Sequence, residues 1–435
     1  MRLLGEHVAI GILGLGTVGS GVVRMVHGHQ EELQHKVGCK VVVEKVLVQD
    51  LEKERRVSPK QEWLTLDPDD VLSNPNIDVV IEVMGGIGLA RKYILQALNN
   101  GKHVITANKD LMALHGAELL KTAADNGCDL FYEASVAGGI PIIRALKEGL
   151  ASDRITKMMG IVNGTTNYIL TKMDKQQLSF QDVLKEAQEL GFAEADPTSD
   201  VEGLDAARKM AILSTLGFSM NIHLDDVDVK GITGVTKEDI DYARQFGYTI
   251  KLIGNARKDD GKVEVSVEPT LLPDTHPLSS VHNEYNAVYI YGEAVGETMF
   301  FGPGAGELPT ATSVVSDLVA VIRNMRLGVN GKNDVAPQYE KQLKPLDEIH
   351  GKFYYRLHIK DEAGTFSVLA SLFAENGVSL EKLLQNPTSS KGTVEVVIVT
   401  HGTTKQRDSL VYSQLLKSDA VYGIESHFRV EGVSA

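Results

Sequence analysis

Through the first 140 residues, short apolar runs alternate with stretches whose apolar positions recur at helical spacing. That alternation predicts a parallel sheet with helices on both faces, a doubly wound α/β architecture. The strand-like runs are residues 8–13, 41–48, 78–83, 103–106 and 129–132, and helices are expected over 90–100 and 111–126 among others. The pattern changes at Pro141. A helix-like "PIIRALKEGL" and a strand-like "ITKMMGIV" lead into a helical block from residue 168 to 218, then strand-like runs at 251–256, 263–269 and 287–291. This predicts a second, mixed α+β domain. The glycine loop "GPGAGELP" then feeds a helix expected over 312–323, and residues 328–350, rich in Gly, Pro and charge, read as a linker. Beyond it, from residue 353 to 430, the order strand–helix–strand–strand–helix–strand predicts a small ferredoxin-like unit.

At 435 residues the chain has room for about three domains of roughly 150 residues each. A net charge of −14 argues against generic nucleic-acid binding, which needs a basic surface. Cys39 and Cys128 are too few for a disulfide framework, so a reducing cytoplasm is the expected compartment. The start of the chain lacks the apolar segment of a signal peptide, and no run approaches the roughly 20 apolar residues that span a bilayer. Neither membrane nor nucleic acid is an expected partner.

The most specific local motif is "VAIGILGLGTVGSGVV", which sets Gly14, Gly16 and Gly19 between an apolar strand and a helical run. In a Rossmann-type sheet the first glycine permits the tight turn, the second lets the backbone approach a pyrophosphate, and the third allows close strand–helix packing. Gly14, Leu15, Gly16, Thr17, Val18 and Gly19 are therefore the expected cradle for NAD or NADP. Asp50 ends the second strand-like run, where an acid bonds the adenosine ribose hydroxyls and favours NAD. Lys53, Arg55 and Arg56 follow at once and suit a 2′-phosphate, or form a solvated basic turn, so the choice of cofactor stays open.

A second concentration of chemistry lies in "GFAEADPTSDVEGLDAARKMAIL", where Glu194, Asp196, Asp200, Glu202 and Asp205 precede Lys209. Ser199 and Glu202 have the spacing of a capping box. Asp205 and Lys209 share a helical face one turn apart. On spacing alone the commoner reading of that pair is an exposed salt bridge on an amphipathic helix.

Several stretches together resemble the homoserine dehydrogenase family: "GLGTVGSGV", "ITANKDLMA", "YEASVAGGIPII", "GIVNGTTNYIL", "AEADPTSDVEGLDAARKMAIL" and "GPGAGELPTATSVVSDL". The resemblance implies an NAD(P)-dependent oxidoreductase that interconverts L-aspartate 4-semialdehyde and L-homoserine on the route to threonine, methionine and isoleucine. It implies Lys209 as the acid/base group, Asp205 beside it, and Glu194 as the partner of the substrate ammonium. Asp196 either joins the substrate site or only caps the helix, and the same holds for Asp200. Lys109 would contact substrate near the nicotinamide, and Gly85, Gly86 and Gly306 would lie along the nicotinamide ribose. "YEASVAGGIPII" resembles the family's loop for a monovalent cation, expected to be Na+, with the Glu133 carboxylate and the carbonyls of Val136, Gly138 and Ile140 as ligands. A glycine-rich hinge without an ion is the alternative. "NGTTN" reads as a strand-to-helix turn lining the site. A catalytically silent nucleotide and amino-acid sensor would not need the acid/base pair.

With this resemblance the expected domains are a cofactor domain over 1–140 completed by 301–327, a catalytic and dimerisation domain over 141–300, a linker over 328–351, and a regulatory domain over 352–435. The last resembles an ACT domain, which implies threonine as effector and a homodimer or homotetramer. Its candidate ligand segments are "DEAGTF" and "AENGVSL", the latter offering the backbone of Asn376 and Gly377. Ala363 stands where the ACT pattern has proline, so this loop is less preorganised. An assembly role for the tail is the alternative. No kinase segment is expected before residue 1.

Overall fold

Six parallel strands carry the N-terminal half in the computed structural model, which describes residues 7–332, 337–387 and 392–432. They are β1 (His7–Leu13), β2 (Lys40–Leu47), β3 (Leu64–Thr65), β4 (Val79–Glu82), β5 (His103–Thr106) and β6 (Leu130–Phe131). Their order is β3-β2-β1-β4-β5-β6, so the sheet reverses direction of growth between β1 and β4. Ligands of open α/β sheets collect at such a switch point, beyond the carboxyl ends of the strands. Residues 8–13 of β1 and all of β4 are buried, because helices cover both faces. Thr17–Gly28 packs against the late helix Glu307–Leu327.

The chain divides into two compact units, the first comprising Met1–Ile155, Ala211–Leu224 and Gly292–Glu340. The second comprises Thr156–Met210, Asp225–Tyr291 and Lys341–Ala435. In the second unit the strands lie in the order Tyr285–Gly292, Ile155–Ile161, Tyr248–Asp259, Lys262–Pro273, Val421–Val430, His350–Lys360, Thr393–Thr400 and Leu380–Pro387. The last four of these are antiparallel neighbours, and with helices Thr365–Glu375 and Lys405–Leu415 they form the ferredoxin-like unit. Val421–Val430 also pairs in parallel with Lys262–Pro273 through Thr270 and Leu271, so the tail extends the central sheet.

A buried polar group reinforces that junction. Asp239, in the capping box of Lys237–Gln245, has no exposed surface. Its carboxylate accepts from Arg356 Nε at 2.8 Å, Ser426 Oγ at 2.7 Å and the Tyr354 hydroxyl at 3.2 Å. Arg356 also reaches Glu395 at 2.9 Å.

Two sequence expectations are corrected. The block expected to be helical from 168 to 218 is four helices, Gly164–Gln176, Phe180–Glu189, Thr198–Val201 and Leu204–Phe218. Gly203, at φ +82°, breaks the last two apart, so Ser199 and Glu202 form no capping box. Pro197 is the N-cap of Thr198–Val201, and ahead of it Asp196 Oδ1 accepts from the Thr198 amide and hydroxyl at 3.1 and 2.6 Å. The strand Gly296–Pro303 and the helix Lys237–Gln245 gave no clear pattern, and residues 328–350 are partly built into the fold. Within that stretch Tyr339 bridges to Met220 and Leu343 to Val263, while residues 333–336 lie outside the described residues. Among the described residues no helix is long and apolar enough to cross a membrane.

Candidate active site

The three motif glycines meet three different demands. Gly14 has φ +100°, and a Cβ there would lie 2.9 Å from the Val83 carbonyl oxygen. A Cβ on Gly19 would sit 2.3 Å from the Gly14 carbonyl oxygen. Around Gly16, by contrast, nothing comes within 4 Å, so the space its missing side chain leaves faces outward. Gly16 is the N-cap of Thr17–Gly28, whose first amides point to that opening, the arrangement that receives a phosphate. Leu15 and Val18 pack on the core below while Thr17 is exposed.

Asp50 is exposed, and its Oδ1 accepts from the Glu52 amide at 2.8 Å. Two of the basic residues beyond it, Arg55 and Arg56, are engaged. Arg55 donates to the carbonyls of Leu51 at 3.2 Å and Lys53 at 2.7 Å, and Arg56 pairs with Glu307 at 3.4 Å. Glu307 opens the helix that follows Gly306 and also pairs with Arg24 at 3.1 Å.

At the other side of the switch point Gly85 and Gly86 follow β4 in left-handed conformation, at φ +75° and +72°. Lys109 is half-buried and begins the helix Lys109–Asp125, whose N-cap is Asn108. The Asn108 amide donates to the Gly86 carbonyl at 2.6 Å, joining the glycine turn to the start of the lysine helix.

Glu133 is buried, and its two carboxylate oxygens accept from the amides of Ile143 and Arg144, each at 2.8 Å. Burial pushes its carboxyl up from the usual range against these bonds. Val136 and Ile140 are buried beside it, and Ala137 and Gly138 take left-handed φ values of +55° and +50°. The Gly138 carbonyl accepts from Ser313 Oγ at 2.6 Å and the Ile140 carbonyl from the Ile142 amide at 2.8 Å. Three of the four expected ligand groups thus already accept hydrogen bonds and would bind a cation through remaining lone pairs. Among the described residues no group of three or more His, Cys, Asp or Glu side chains converges as a metal site.

In the second unit, the acidic stretch resolves into distinct roles. Lys209 Nζ donates to Asp205 Oδ2 at 2.7 Å and to the Val162 carbonyl at 2.7 Å, with both side chains buried. Asn163 Nδ2 donates to the same Asp205 oxygen and to Asp200 Oδ1, both at 2.7 Å. Asn163 is held in turn by Thr166, whose amide donates to its Oδ1 at 2.8 Å, capping Gly164–Gln176. "NGTTN" therefore brings the end of Ile155–Ile161 to the Asp205–Lys209 pair. The motif marks the turn, and an Asn before Gly-Thr-Thr carries the signal of an N-cap, but the Asn163 bonds to Asp200 and Asp205 emerge only in the structure.

Glu194 stands apart from this hydrogen-bonded chain. It is exposed, on a loop anchored by the Phe192 ring, 4.8 Å from that of Tyr168, and by the Phe192 carbonyl, which accepts from Thr165 Oγ1 at 2.7 Å. Asp196 is exposed as well, and its bonds from Thr198 hold its carboxyl below the usual range. The first-unit residues Gly14–Gly19, Gly85, Gly86 and Lys109 border one sheet edge, whereas Asp200, Asp205 and Lys209 gather around Asn163 in the second unit.

Comparison with known proteins gives a consistent result. Residues 14–133 match the model for the homoserine dehydrogenase NAD binding domain, and residues 141–319 match that for homoserine dehydrogenase. A homoserine dehydrogenase of Bacillus subtilis is 61% identical over 428 residues, covering 98% of this chain and 99% of that protein. One from Neisseria gonorrhoeae is 39% identical at the same coverage. The crystal structure of a homoserine dehydrogenase from Thiobacillus denitrificans superimposes with a TM-score of 0.92 at 38% identity, covering 98% of each chain. A hyperthermophilic archaeal homoserine dehydrogenase in complex with NADPH, 25% identical, gives a TM-score of 0.61 over 72% of this chain and 97% of that one.

Proposed function

Because the chain belongs to the homoserine dehydrogenase family, we infer that it catalyses the reversible NAD(P)-dependent reduction of L-aspartate 4-semialdehyde to L-homoserine. The observation that carries this reading is the buried Asp205–Lys209 pair, in a chain that also carries a dinucleotide motif. The cofactor, when bound, supplies or accepts the hydride. Lys209 takes the hydroxyl proton of homoserine in oxidation and returns it in reduction. Asp205 and the Val162 carbonyl hold Nζ in place, and Asn163 holds Asp205. Glu194 binds the substrate ammonium, the partner a carboxylate suits. Lys109 contacts substrate on the nicotinamide side, and Asp196 lies at the edge of the substrate site.

The cofactor phosphates rest on residues 14–19, its adenosine ribose on Asp50, and its nicotinamide ribose along Gly85, Gly86 and Gly306. A monovalent cation at Glu133, Val136, Gly138 and Ile140 is supported by a buried carboxylate and three backbone carbonyls, oxygen donors that suit such an ion. The tail from 352 acts as a regulatory domain with threonine as effector, in a homodimer or homotetramer. Support for that reading is the ferredoxin-like order of its strands.

The test is nicotinamide absorbance with L-homoserine and either cofactor, and with L-aspartate 4-semialdehyde in the reverse direction. Turnover in both directions is expected, and its absence with both cofactors would overturn the proposal.

A further inference from the structure

Glu82 has no part in the reaction as written, yet it is the last residue of β4 and fully buried. Its Oε1 accepts from the backbone amides of Met84 at 2.9 Å and Gly85 at 3.3 Å. Its Oε2 accepts from Thr106 Oγ1 at 2.6 Å, from the end of the neighbouring strand β5. Thr106 Oγ1 accepts from the Asn108 amide nitrogen at 3.0 Å. Asn108 then closes the circuit twice: its side-chain amide donates to the Gly86 carbonyl, and its Oδ1 accepts from Leu111 at 3.1 Å, capping the helix that begins with Lys109.

The circuit has two telling features. It spans the ends of β4 and β5, so one carboxylate ties a left-handed glycine turn to the helix of the substrate-side lysine. Nothing lies within 4 Å of a Cβ built on Gly85 or Gly86, so the turn's far side is open. Among the described residues no basic side chain forms a salt bridge with Glu82. Burial raises its carboxyl above the usual range despite the hydrogen bonds. Burying an acid is costly, and here hydrogen bonds from the strand ends and the glycine turn offset that cost.

We propose that Glu82 is a positioning residue for hydride transfer: through Thr106 and Asn108 it fixes the Gly85–Gly86 turn and the start of the Lys109 helix in one frame, aligning the nicotinamide with the substrate lysine. This rests on the reading of Gly85, Gly86 and Lys109 given above. Glu82→Leu leaves the Met84 and Gly85 amides unpaired and frees the turn. Glu82→Gln keeps one oxygen for those amides and turns its NH2 toward Thr106 Oγ1, so it restores the frame.

The experiment titrates full-length wild type, Glu82→Leu and Glu82→Gln with reduced cofactor, followed by nicotinamide fluorescence, and with the nicotinamide-free fragment (ADP-ribose or its 2′-phosphate). Turnover is measured alongside. In Glu82→Leu, reduced-cofactor affinity and kcat should each fall about tenfold, the effect of orphaned donors, while fragment affinity changes less than about twofold. Glu82→Gln should recover both. Should the leucine variant not fold, Thr106→Val cuts the same circuit with little change in volume, and the same split is expected. Unchanged reduced-cofactor affinity and kcat, or equal losses for cofactor and fragment, would overturn the proposal. If wild type fails to oxidise homoserine, the assigned reaction fails, while the comparison of cofactor with fragment still decides the role of Glu82.

Discussion

Two helices of this protein each carry a lysine and an aspartate one turn apart, with Nζ to oxygen distances of 2.7 Å in both. On Lys109–Asp125 the pair is Lys121–Asp125, with side chains 75% and 62% exposed. On Leu204–Phe218 it is Asp205–Lys209, with the lysine 11% and the aspartate 5% exposed. Sequence spacing makes the two alike. The difference comes from the loop after Ile155–Ile161, which delivers the Val162 carbonyl and the Asn163 amide to the second pair. An exposed pair contributes about 0.2–1 kcal/mol and is screened by salt. A buried one must offset a large desolvation cost, so it persists where added hydrogen bonds hold it or function retains it.

The largest expected contrast follows directly. Lys209→Met should lower kcat by about 10²–10⁴-fold, the usual cost of losing a general acid/base, with cofactor affinity intact. Lys121→Met should leave both unchanged and shift stability by no more than about 0.5 kcal/mol. Steady-state rates, cofactor titration and denaturant unfolding check the pair. Wild-type kcat in Lys209→Met would show that burial at this helix is structural.

Burial without catalysis supplies the next contrast. Arg356 and Asp239 are as buried as the Asp205–Lys209 pair, but they join the tail to the central sheet. Arg356→Met should therefore cost about 3–5 kcal/mol by denaturant unfolding, because Asp239 keeps a buried charge without its partner. Turnover per folded molecule should stay near wild type.

A third buried cation titrates within reach. Lys251 donates to the Val281 carbonyl at 2.6 Å and to Asn167 Oδ1 at 3.1 Å, and burial lowers its pKa to about 8. The unfolded value is about 10.4, so between these pH values the unfolded chain binds more protons, and Lys251 makes stability rise with pH. The rise amounts to at most about 3 kcal/mol between pH 8 and about 10.4, and it is lost as pH falls through 8. Unfolding free energies of wild type minus Lys251→Met across this range should show that slope, and a flat difference would contradict it.

The smallest effect concerns cofactor choice. Asp50→Ser should move kcat/KM toward NADP by roughly fivefold, the effect of about 1 kcal/mol between unit charges 4 Å apart in water. No shift would place Asp50 away from the ribose.

Much of the scaffold was legible because its signals are local. The glycine loop, five of the six strands of the N-terminal sheet (all but the two-residue β3) and the ferredoxin-like order of the tail follow from periodicity and turn residues that short windows contain. The helical block from 168 to 218 was not, since Gly203 and the 191–197 loop interrupt an otherwise continuous apolar stripe. Exposed or alternating strands such as Gly296–Pro303 carry no strong run either. Of the proposed site, Asp205, Lys209 and Lys109 lie in motifs that the sequence displays. Glu82, Thr106 and Asp317 could not be named from it, because their hydrogen bonds reach residues that meet them only in the fold. Asp317 illustrates this: it is fully buried, accepts from the Glu133 amide at 2.9 Å, and burial pushes its carboxyl up to about 8. In the sequence it is one polar position on an apolar helix.

On the proposed mechanism Lys209 moves the substrate proton while Lys121, at the same spacing, does not. Chemical rescue tests it most directly: homoserine oxidation by Lys209→Ala and Lys121→Ala is followed as methylamine is added. Rates of Lys209→Ala should start about 10²–10⁴-fold low and rise with amine concentration, while those of Lys121→Ala stay at wild type throughout. Turnover of Lys209→Ala that matches wild type without amine, or that ignores amine at every concentration, would contradict the account.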